Sequence, residues 1–430
     1  MTTNSTATLA AMSTRVSSDP GAGHYYWSYR ALIDYWPIQK SPPIIGPVGQ
    51  EPSFVTGVFR NNSKRYEFRF GLSALFSLRP IKLVKELRRR LGEGCTHFYS
   101  YDGGLTELLL CHLASLAQPN LTMIFNFHWA DQWLEILDSS RLTNRALRQA
   151  LKWLAQTKPN NVVYSAETRV FGLKLEDILE IELATFPISA SISPTIHEPW
   201  PERKIDVLVM PQRTSELDFV HELVTAMEAD RRKCAIAVKE AVWSRWPQSK
   251  SFSGMGEVIF LPLDEASFAS LLSDARVVIL PYDKPYFRWG SSSKFNEAIA
   301  FGCFPFAPSW TAIPSQARVN SEAHAIDSAS PRAAAFKILK RLDDGPGESQ
   351  PALFVQDLVE WALNISDREK AGPAPKLSDF LRFFWVGMVA AAYRPRVQFG
   401  PLRQKIGTYV DRAKASIRQF GHPTRAPSSP

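Results

Sequence analysis

Residues 275–309, ARVVILPYDKPYFRWGSSSKFNEAIAFGCFPFAPS, decide the fold. The apolar run RVVILPYD (276–283) predicts a buried strand, and SKFNEAIAFG (293–302) predicts a helix that ends at a glycine. FPFAPS (304–309) predicts a second strand immediately afterwards. Two strands separated by a helix indicate a βαβ unit, in which the strands are parallel and the crossover is right-handed.

The same alternation extends towards the N-terminus through the second half of the chain. The helices predicted there are LDFVHELVTAMEADR (217–231) and DEASFASLLSDA (264–275), and the strands are KIDVLVM (204–210), CAIAV (234–238) and GEVIFLPL (256–263). A Pro-rich stretch, SPTIHEPWPERK (193–204), precedes this series and is typical of a linker.

The first half repeats the pattern. Its predicted strands are TATLAAMSTRV (6–16), PPIIGPVG (42–49), THFYSYD (96–102), LTMIFNFHW (121–129) and NNVVYSAE (160–167). Its predicted helices are GHYYWSYRALIDYW (23–36), IKLVKELRRRLGEG (81–94), GLTELLLCHLASLAQ (104–118) and NRALRQALKWLAQT (144–157). We therefore expect an α/β protein of two doubly wound, Rossmann-like domains that face a central cleft.

The predicted boundaries follow from this pattern and from the length of 430 residues, which exceeds one typical core. Residues 1–195 form the first domain and residues 203–345 the second. Residues 350–395 form C-terminal helices that cross back to the first domain, and residues 396–430 form a basic amphipathic tail.

Charge is concentrated in the last part of the chain. The net charge is +8, and the eight basic residues and one acidic residue from Arg394 onwards account for +7 of it. Nucleic-acid binding is not expected, because the folded part lacks a basic surface. The tail has an apolar face, which suits either docking on the protein or peripheral contact with an anionic membrane.

The four cysteines, Cys95, Cys111, Cys234 and Cys303, are far apart in sequence and are expected to be buried free thiols. The N-terminus has no signal-peptide pattern, so the expected location is the cytoplasm, with contact at the inner face of the membrane if the tail binds lipid. The chain has no P-loop, HExxH or paired CxxC motif, and GAGHYYW (21–27) lacks the third glycine of a dinucleotide fingerprint.

The glycine and serines before the helix at 293–302 allow two interpretations. Serine is a common helix cap, and an acid in the first turn offsets the helix dipole. The same groups also suit a nucleotide, because Gly290, Ser292 and Ser293 bring backbone and hydroxyl donors to a helix N-terminus. Lys294 would add charge for a diphosphate, and Glu297 would accept hydrogen bonds from a ribose.

Taken together, ASFASLLSDARVVILPYD (266–283) and GSSSKFNEAIAFGCFPFAPSWTAIPSQ (290–316) resemble the donor domain of GT-B glycosyltransferases. The resemblance is to glycosyltransferase family 4 and related bacterial polysaccharide enzymes. It implies that Glu297 binds the nucleotide ribose, and it extends the donor site to Tyr282 and to Arg213, which would grip the diphosphate. The family places an acid eight residues before this glutamate, where this chain has Trp289, and it places a diphosphate-binding lysine after Arg213 that this chain lacks.

The first domain resembles the same family more loosely. His128 ends the segment THFYSYDGGLTELLLCHLASLAQPNLTMIFNFH (96–128), where family members have a histidine that faces the transferred sugar. The other residues expected at the cleft or the acceptor are Gly23, His24, Asp102 and Glu167. A histidine at a strand end is also a common packed residue.

The resemblance implies a glycosyltransferase that moves a sugar from a nucleotide-diphosphate sugar to a glycan, a lipid-linked molecule or a small molecule. It also implies a retaining reaction without a required metal ion or other cofactor. Two alternatives remain open at this point, a GT-B sugar-nucleotide epimerase and a catalytically inactive GT-B-like scaffold.

Overall fold

The computed structural model describes residues 8–13, 16, 18, 29–30, 32–33, 43–59, 80–128, 130–138, 142–186, 190, 198–249, 252, 256–347, 352–365, 378 and 385. All of the elements below belong to the compact unit Met1–Tyr393.

The first half forms a parallel sheet of seven described strands in the order β3-β2-β1-β4-β5-β6-β7. The strands are β1 (Thr8–Met12), β2 (Ile44–Pro47), β3 (Val55–Phe59), β4 (Cys95–Gly103), β5 (Thr122–Phe127), β6 (Val162–Ala166) and β7 (Ala184–Thr185). The helices of this half are α1 (Pro80–Gly92), α2 (Leu105–Ala117), α3 (Ala130–Leu137), α4 (Leu142–Gln156) and α5 (Arg169–Leu179).

The second half forms a parallel sheet of six described strands in the order β10-β9-β8-β11-β12-β13. The strands are β8 (Ile205–Val209), β9 (Cys234–Lys239), β10 (Glu257–Leu261), β11 (Ala275–Ile279), β12 (Phe304–Pro308) and β13 (Ala325–Ile326). The helices are α6 (Leu217–Ala229), α7 (Glu240–Trp243), α8 (Glu265–Ser273), α9 (Ser293–Ala300), α10 (Pro331–Asp344) and α11 (Val355–Ile365).

Both sheets reverse their strand order next to their first strand. The reversal lies between β1 and β4 in the first sheet and between β8 and β11 in the second. In open parallel sheets, ligands bind beyond the carboxyl ends of the strands at such a switch point. The loops after β8 and β11 are therefore the part of the second domain where a ligand is expected.

Helices on both sides bury the central strands, which explains their continuous apolar sequences. Val207, Val209 and Ile279 pack towards α6 and α10, and Leu208 and Val278 pack on the opposite side with Phe295 of α9. All four cysteines are buried free thiols, as the sequence predicted.

Helix α11 packs against the first sheet although it follows the second in sequence. Leu358 and Ala362 are buried with residues of β1 and β2, and the Trp361 ring lies 5.2 Å from that of Phe186. The chain enters this helix through a parallel bridge between Ala190 and Phe354.

The predicted α/β alternation is confirmed wherever the chain is described, and the domain boundaries stay predictions. Residues 29–30 and 32–33 of the predicted helix 23–36 are helical. The sequence analysis did not identify β3, β7, β13, α3, α5, α7 or α10, whereas α11 lies within residues 350–395, for which it predicted C-terminal helices. The tail at 396–430 lies outside the described residues.

Candidate active site

The Glu167 carboxylate is the main polar link between the two sheets. Glu167 follows β6, and its side chain is 1% exposed. One carboxylate oxygen, Oε2, accepts hydrogen bonds from Ser291 Oγ (2.6 Å), the Ser291 N–H (3.3 Å) and the Tyr286 hydroxyl (3.1 Å). All three donors lie in the loop after β11. Charge and polar groups buried to this degree are stable only when they are well hydrogen-bonded.

The other carboxylate oxygen, Glu167 Oε1, contacts Nδ1 of His128. His128 follows β5, is buried, and donates its backbone N–H to the Gly103 carbonyl at 3.4 Å. Gly103 is required at this position, because a Cβ there would overlap the carbonyl oxygen of Asn126. The carboxyl ends of β4, β5 and β6 thus place the histidine and the carboxylate together.

A second contact joins the same two loops. Thr168 caps α5, and its hydroxyl also donates to the Trp289 carbonyl at 2.7 Å. The Trp289 side chain packs against the core of the first domain. Where the GT-B resemblance leads one to expect an acid, this chain therefore has an apolar contact between the domains.

Tyr286 fills the space next to Gly290. A Cβ at residue 290 would lie 2.5 Å from Cε1 of the Tyr286 ring, so only glycine leaves room for it. The sequence analysis explained Gly290 by the approach of a ligand. In the structure the group that approaches its Cα is the ring of Tyr286, which carries the hydroxyl bound to Glu167.

Ser292 occupies the N-cap position of α9, but its side chain makes no capping hydrogen bond. Instead, its backbone is fixed by Gln316, whose Oε1 accepts the Ser292 N–H at 2.8 Å and whose Nε2 donates to the Ser292 carbonyl at 3.3 Å. The first N–H groups of a helix have no intrahelical partner. Because the Ser292 hydroxyl does not accept from them, capping alone does not explain the serine at this position.

The switch point between β8 and β11 is organised by Glu216, which the sequence analysis did not identify. Its buried carboxylate accepts the backbone N–H groups of Gln212 (2.6 Å), Arg213 (3.3 Å) and Asp283 (3.1 Å), which come from both loops. Burial raises the pKa of Glu216 to about 7, although the Gln212 and Asp283 N–H groups lower it. The guanidinium of Arg213 is half-exposed and lies 3.6 Å from the Asp283 carboxylate.

Tyr282 stands beside this carboxylate at the end of β11. Its hydroxyl is buried and makes no hydrogen bond within the described residues, although the side chains of Ser292 and Gln212 lie near it. Burial raises the pKa of Tyr282 well above that of a free tyrosine. Such a hydroxyl can hydrogen-bond to a polar group of a bound ligand.

Lys294 and Glu297 lie in α9 beside the same switch point. Burial lowers the pKa of Lys294, and the negative charges of Glu297 and Glu216 oppose that shift. Ser293 begins the helix and is half-buried. The first five residues of α9 therefore carry a hydroxyl, a cation and an acid beside this switch point.

The structure brings most of the predicted site residues to two neighbouring places. His128 and Glu167 meet at the boundary between the domains, and the predicted donor residues gather around the switch point of the second sheet. Gly23 and His24 lie outside the described residues. Asp102 lies in β4, where the structure describes its backbone but not its side chain. The sequence analysis assigned no role to Tyr286 or Gln316, although both lie in stretches that it singled out.

The described residues include neither a metal-binding cluster nor a membrane-spanning helix. No group of three or more His, Cys, Asp or Glu side chains among them is arranged to hold a metal ion. In the same part of the chain, every helix is too short or too polar to cross a lipid bilayer.

No protein-family model matches the chain, and no curated protein matches its sequence. Solved structures do match its fold. Anabaena Alr3699/HepE, crystallised with UDP, superposes with a TM-score of 0.50 at 13% identity, over 90% of this chain and 100% of that one. A Listeria monocytogenes protein provisionally named UDP-N-acetylglucosamine 2-epimerase gives a TM-score of 0.46 at 12% identity, over 86% and 99% of the chains. AviGT4, a glycosyltransferase of avilamycin A biosynthesis, gives 0.41 at 12% identity, over 90% and 98%.

Sequence identities this low show a shared fold and nothing more. Of the three structures named, HepE alone reaches a TM-score of 0.50, so the comparison of folds rests on it. Together with two consecutive doubly wound parallel sheets, it confirms the predicted fold. The protein has a GT-B fold. The finer assignment to glycosyltransferase family 4 stays a prediction.

Proposed function

We propose that the protein is a glycosyltransferase that moves a sugar from a nucleotide-diphosphate sugar to an acceptor on the first domain. The observation that carries the proposal is the group of residues around the β8/β11 switch point. Arg213, Tyr282 and Lys294 supply a half-exposed guanidinium, a buried hydroxyl and a partly buried ammonium there. Cations and backbone N–H groups at a helix N-terminus are the donors that a diphosphate requires.

In this proposal each residue has one task. Arg213, Lys294 and the backbone at Ser292 and Ser293 stabilise the diphosphate as negative charge develops on the leaving group. Glu297 accepts hydrogen bonds from the ribose. His128 faces the sugar at the reacting carbon, and its contact with Glu167 supports that role because a carboxylate fixes the ring orientation of a histidine.

We also infer that the reaction retains the anomeric configuration and needs no metal ion, as the family resemblance implies. Arg213 and Lys294 would supply the positive charge on the leaving diphosphate. The proposed acceptor is a glycan, a lipid-linked molecule or a small molecule. We also propose that the basic tail contacts the inner face of the membrane.

A second candidate, a sugar-nucleotide epimerase, is favoured by one observation. The buried pair of His128 and Glu167 places an acid and a base side by side, and proton abstraction next to a sugar carbon needs such groups. The two candidates differ in their products, since an epimerase returns an isomerised donor and a transferase releases a nucleoside diphosphate.

The test is incubation of the full chain with UDP- and GDP-sugars in the presence of EDTA, followed by proton and phosphorus NMR. A transferase without its acceptor slowly releases UDP or GDP and a free sugar, and His128→Ala reduces that rate roughly a hundredfold if the ring acts on the reacting carbon. An isomerised donor with intact diphosphate would indicate the epimerase. Recovery of every donor unchanged would contradict both.

A further inference from the structure

We propose that Glu167 is a positioning residue through which the loop at 286–291 sets the orientation of His128. The two oxygens of its carboxylate are divided between the domains. Oε1 contacts His128 of the first domain, and Oε2 takes all three hydrogen bonds from Tyr286 and Ser291 of the second. The inference rests on the proposed function, in which His128 acts at the sugar.

Burial makes this arrangement sensitive to its donors. A carboxylate that is 1% exposed cannot replace a lost hydrogen bond with water. The shortest of its bonds is the one from Ser291 Oγ, at 2.6 Å, and a short bond to a charged acceptor is a strong one. If that donor is removed, the carboxylate has to turn towards its remaining partners. Its contact with His128 then changes, although Ser291 itself belongs to a different domain.

The same loop leads directly into the proposed donor site. Ser291 is followed by Ser292, the N-cap residue of α9, and Lys294 lies in the first turn of that helix. A diphosphate bound there displaces the backbone next to Ser291. Glu167 therefore provides a short path by which an occupied donor site holds His128 in its working position.

The test is NMR of the full chain labelled with ¹³C and ¹⁵N in histidine, with the His128 signal assigned by its loss in His128→Gln. Ser291→Ala and Tyr286→Phe each remove one donor to Glu167 Oε2 and alter no atom of Glu167 or His128. We expect both to shift the His128 signal. Tyr286→Phe is informative because it keeps the ring, whose centroid lies 6.5 Å from that of His128, so a change in ring current is not the cause.

Thr168→Ala is the matched control. It removes the neighbouring bond between the domains and the cap of α5 but no donor of Glu167. The His128 signal should stay in place in this variant. An unchanged signal in both Ser291→Ala and Tyr286→Phe would overturn the inference. An equal shift in Thr168→Ala would also overturn it, because general loosening of the domain contact would then explain the effect.

A second arm adds UDP to the wild type and to Glu167→Gln, with binding followed by calorimetry. We expect the two proteins to bind UDP with affinities within about threefold of each other, since Glu167 does not contact the proposed donor site. UDP should shift the His128 signal in the wild type only. A response that persists in Glu167→Gln contradicts the inference. Failure of the wild type to bind UDP counts against the proposed function, and the Ser291 and Tyr286 comparison still decides the inference.

Discussion

The ring of Tyr286 explains why residue 290 is a glycine. The ring lies against the Gly290 Cα while its hydroxyl bonds to Glu167, so one small residue and one carboxylate fix the tyrosine from two sides. The serine that follows points to the same carboxylate. A glycine and serines before a helix are compatible with capping, with ligand binding and with this contact between domains.

Gly290→Ala is expected to lower the free energy of unfolding by about 1–3 kcal/mol, because the added methyl group forces the buried Tyr286 ring to move. Gly92→Ala is the control. Gly92 lies at the end of α1, a Cβ added there would meet no atom of another part of the chain within 4 Å, and alanine is the better helix former, so stability should stay equal or rise slightly. Urea denaturation of the two variants tests this, and equal stabilities would contradict the packing described for Tyr286.

Helix α9 is held at both ends by side chains from outside the helix. Gln316 fixes its N-terminus, and the buried Arg203 donates to the Phe301 carbonyl at its C-terminus (2.7 Å). Arg203 also donates to the carbonyls of Ala275 (2.6 Å) and Glu198 (3.0 Å). A cation near a helix C-terminus interacts favourably with the helix dipole. The short helix that carries Lys294 and Glu297 therefore depends on residues before β8 and after β12.

Replacing Arg203 with methionine should lower the free energy of unfolding by roughly 2–4 kcal/mol, because it leaves buried carbonyl groups without a donor. Lys204→Met serves as the control, since Lys204 is 77% exposed and contributes only a surface ion pair with Asp274. Chemical denaturation measures the first effect, and hydrogen exchange of the α9 amides shows whether that helix is the part that loosens. No difference between the two variants would contradict the role given to Arg203.

The alternation of apolar strands and amphipathic helices was enough to predict the α/β fold of the described residues, because parallel α/β units repeat one local pattern. Two of the elements that escaped prediction interrupt that pattern with a glycine. Strand β3, VTGVF, is short and has a central glycine, and α5, RVFGLKLEDIL, contains Gly172.

The predicted site residues were found from loops that follow strands, a property of the local sequence. The partners of Glu167 in the second domain, Tyr286 and Ser291, could not be found in this way. Its bond to Ser291 joins residues 124 positions apart, and only the packing of the two domains brings them together. Membrane contact of the tail at 396–430 stays a prediction.

The central claim is that the switch point of the second domain binds a nucleoside diphosphate, and calorimetric titration with UDP and GDP tests it most directly. We predict binding of one of them at one site per chain, weakened roughly tenfold in Glu297→Ala, which loses the proposed ribose acceptor. Glu265→Ala, an exposed acid on α8, should bind as the wild type does. Absence of binding to both nucleotides, or a folded Glu297→Ala variant with wild-type affinity, would contradict the account.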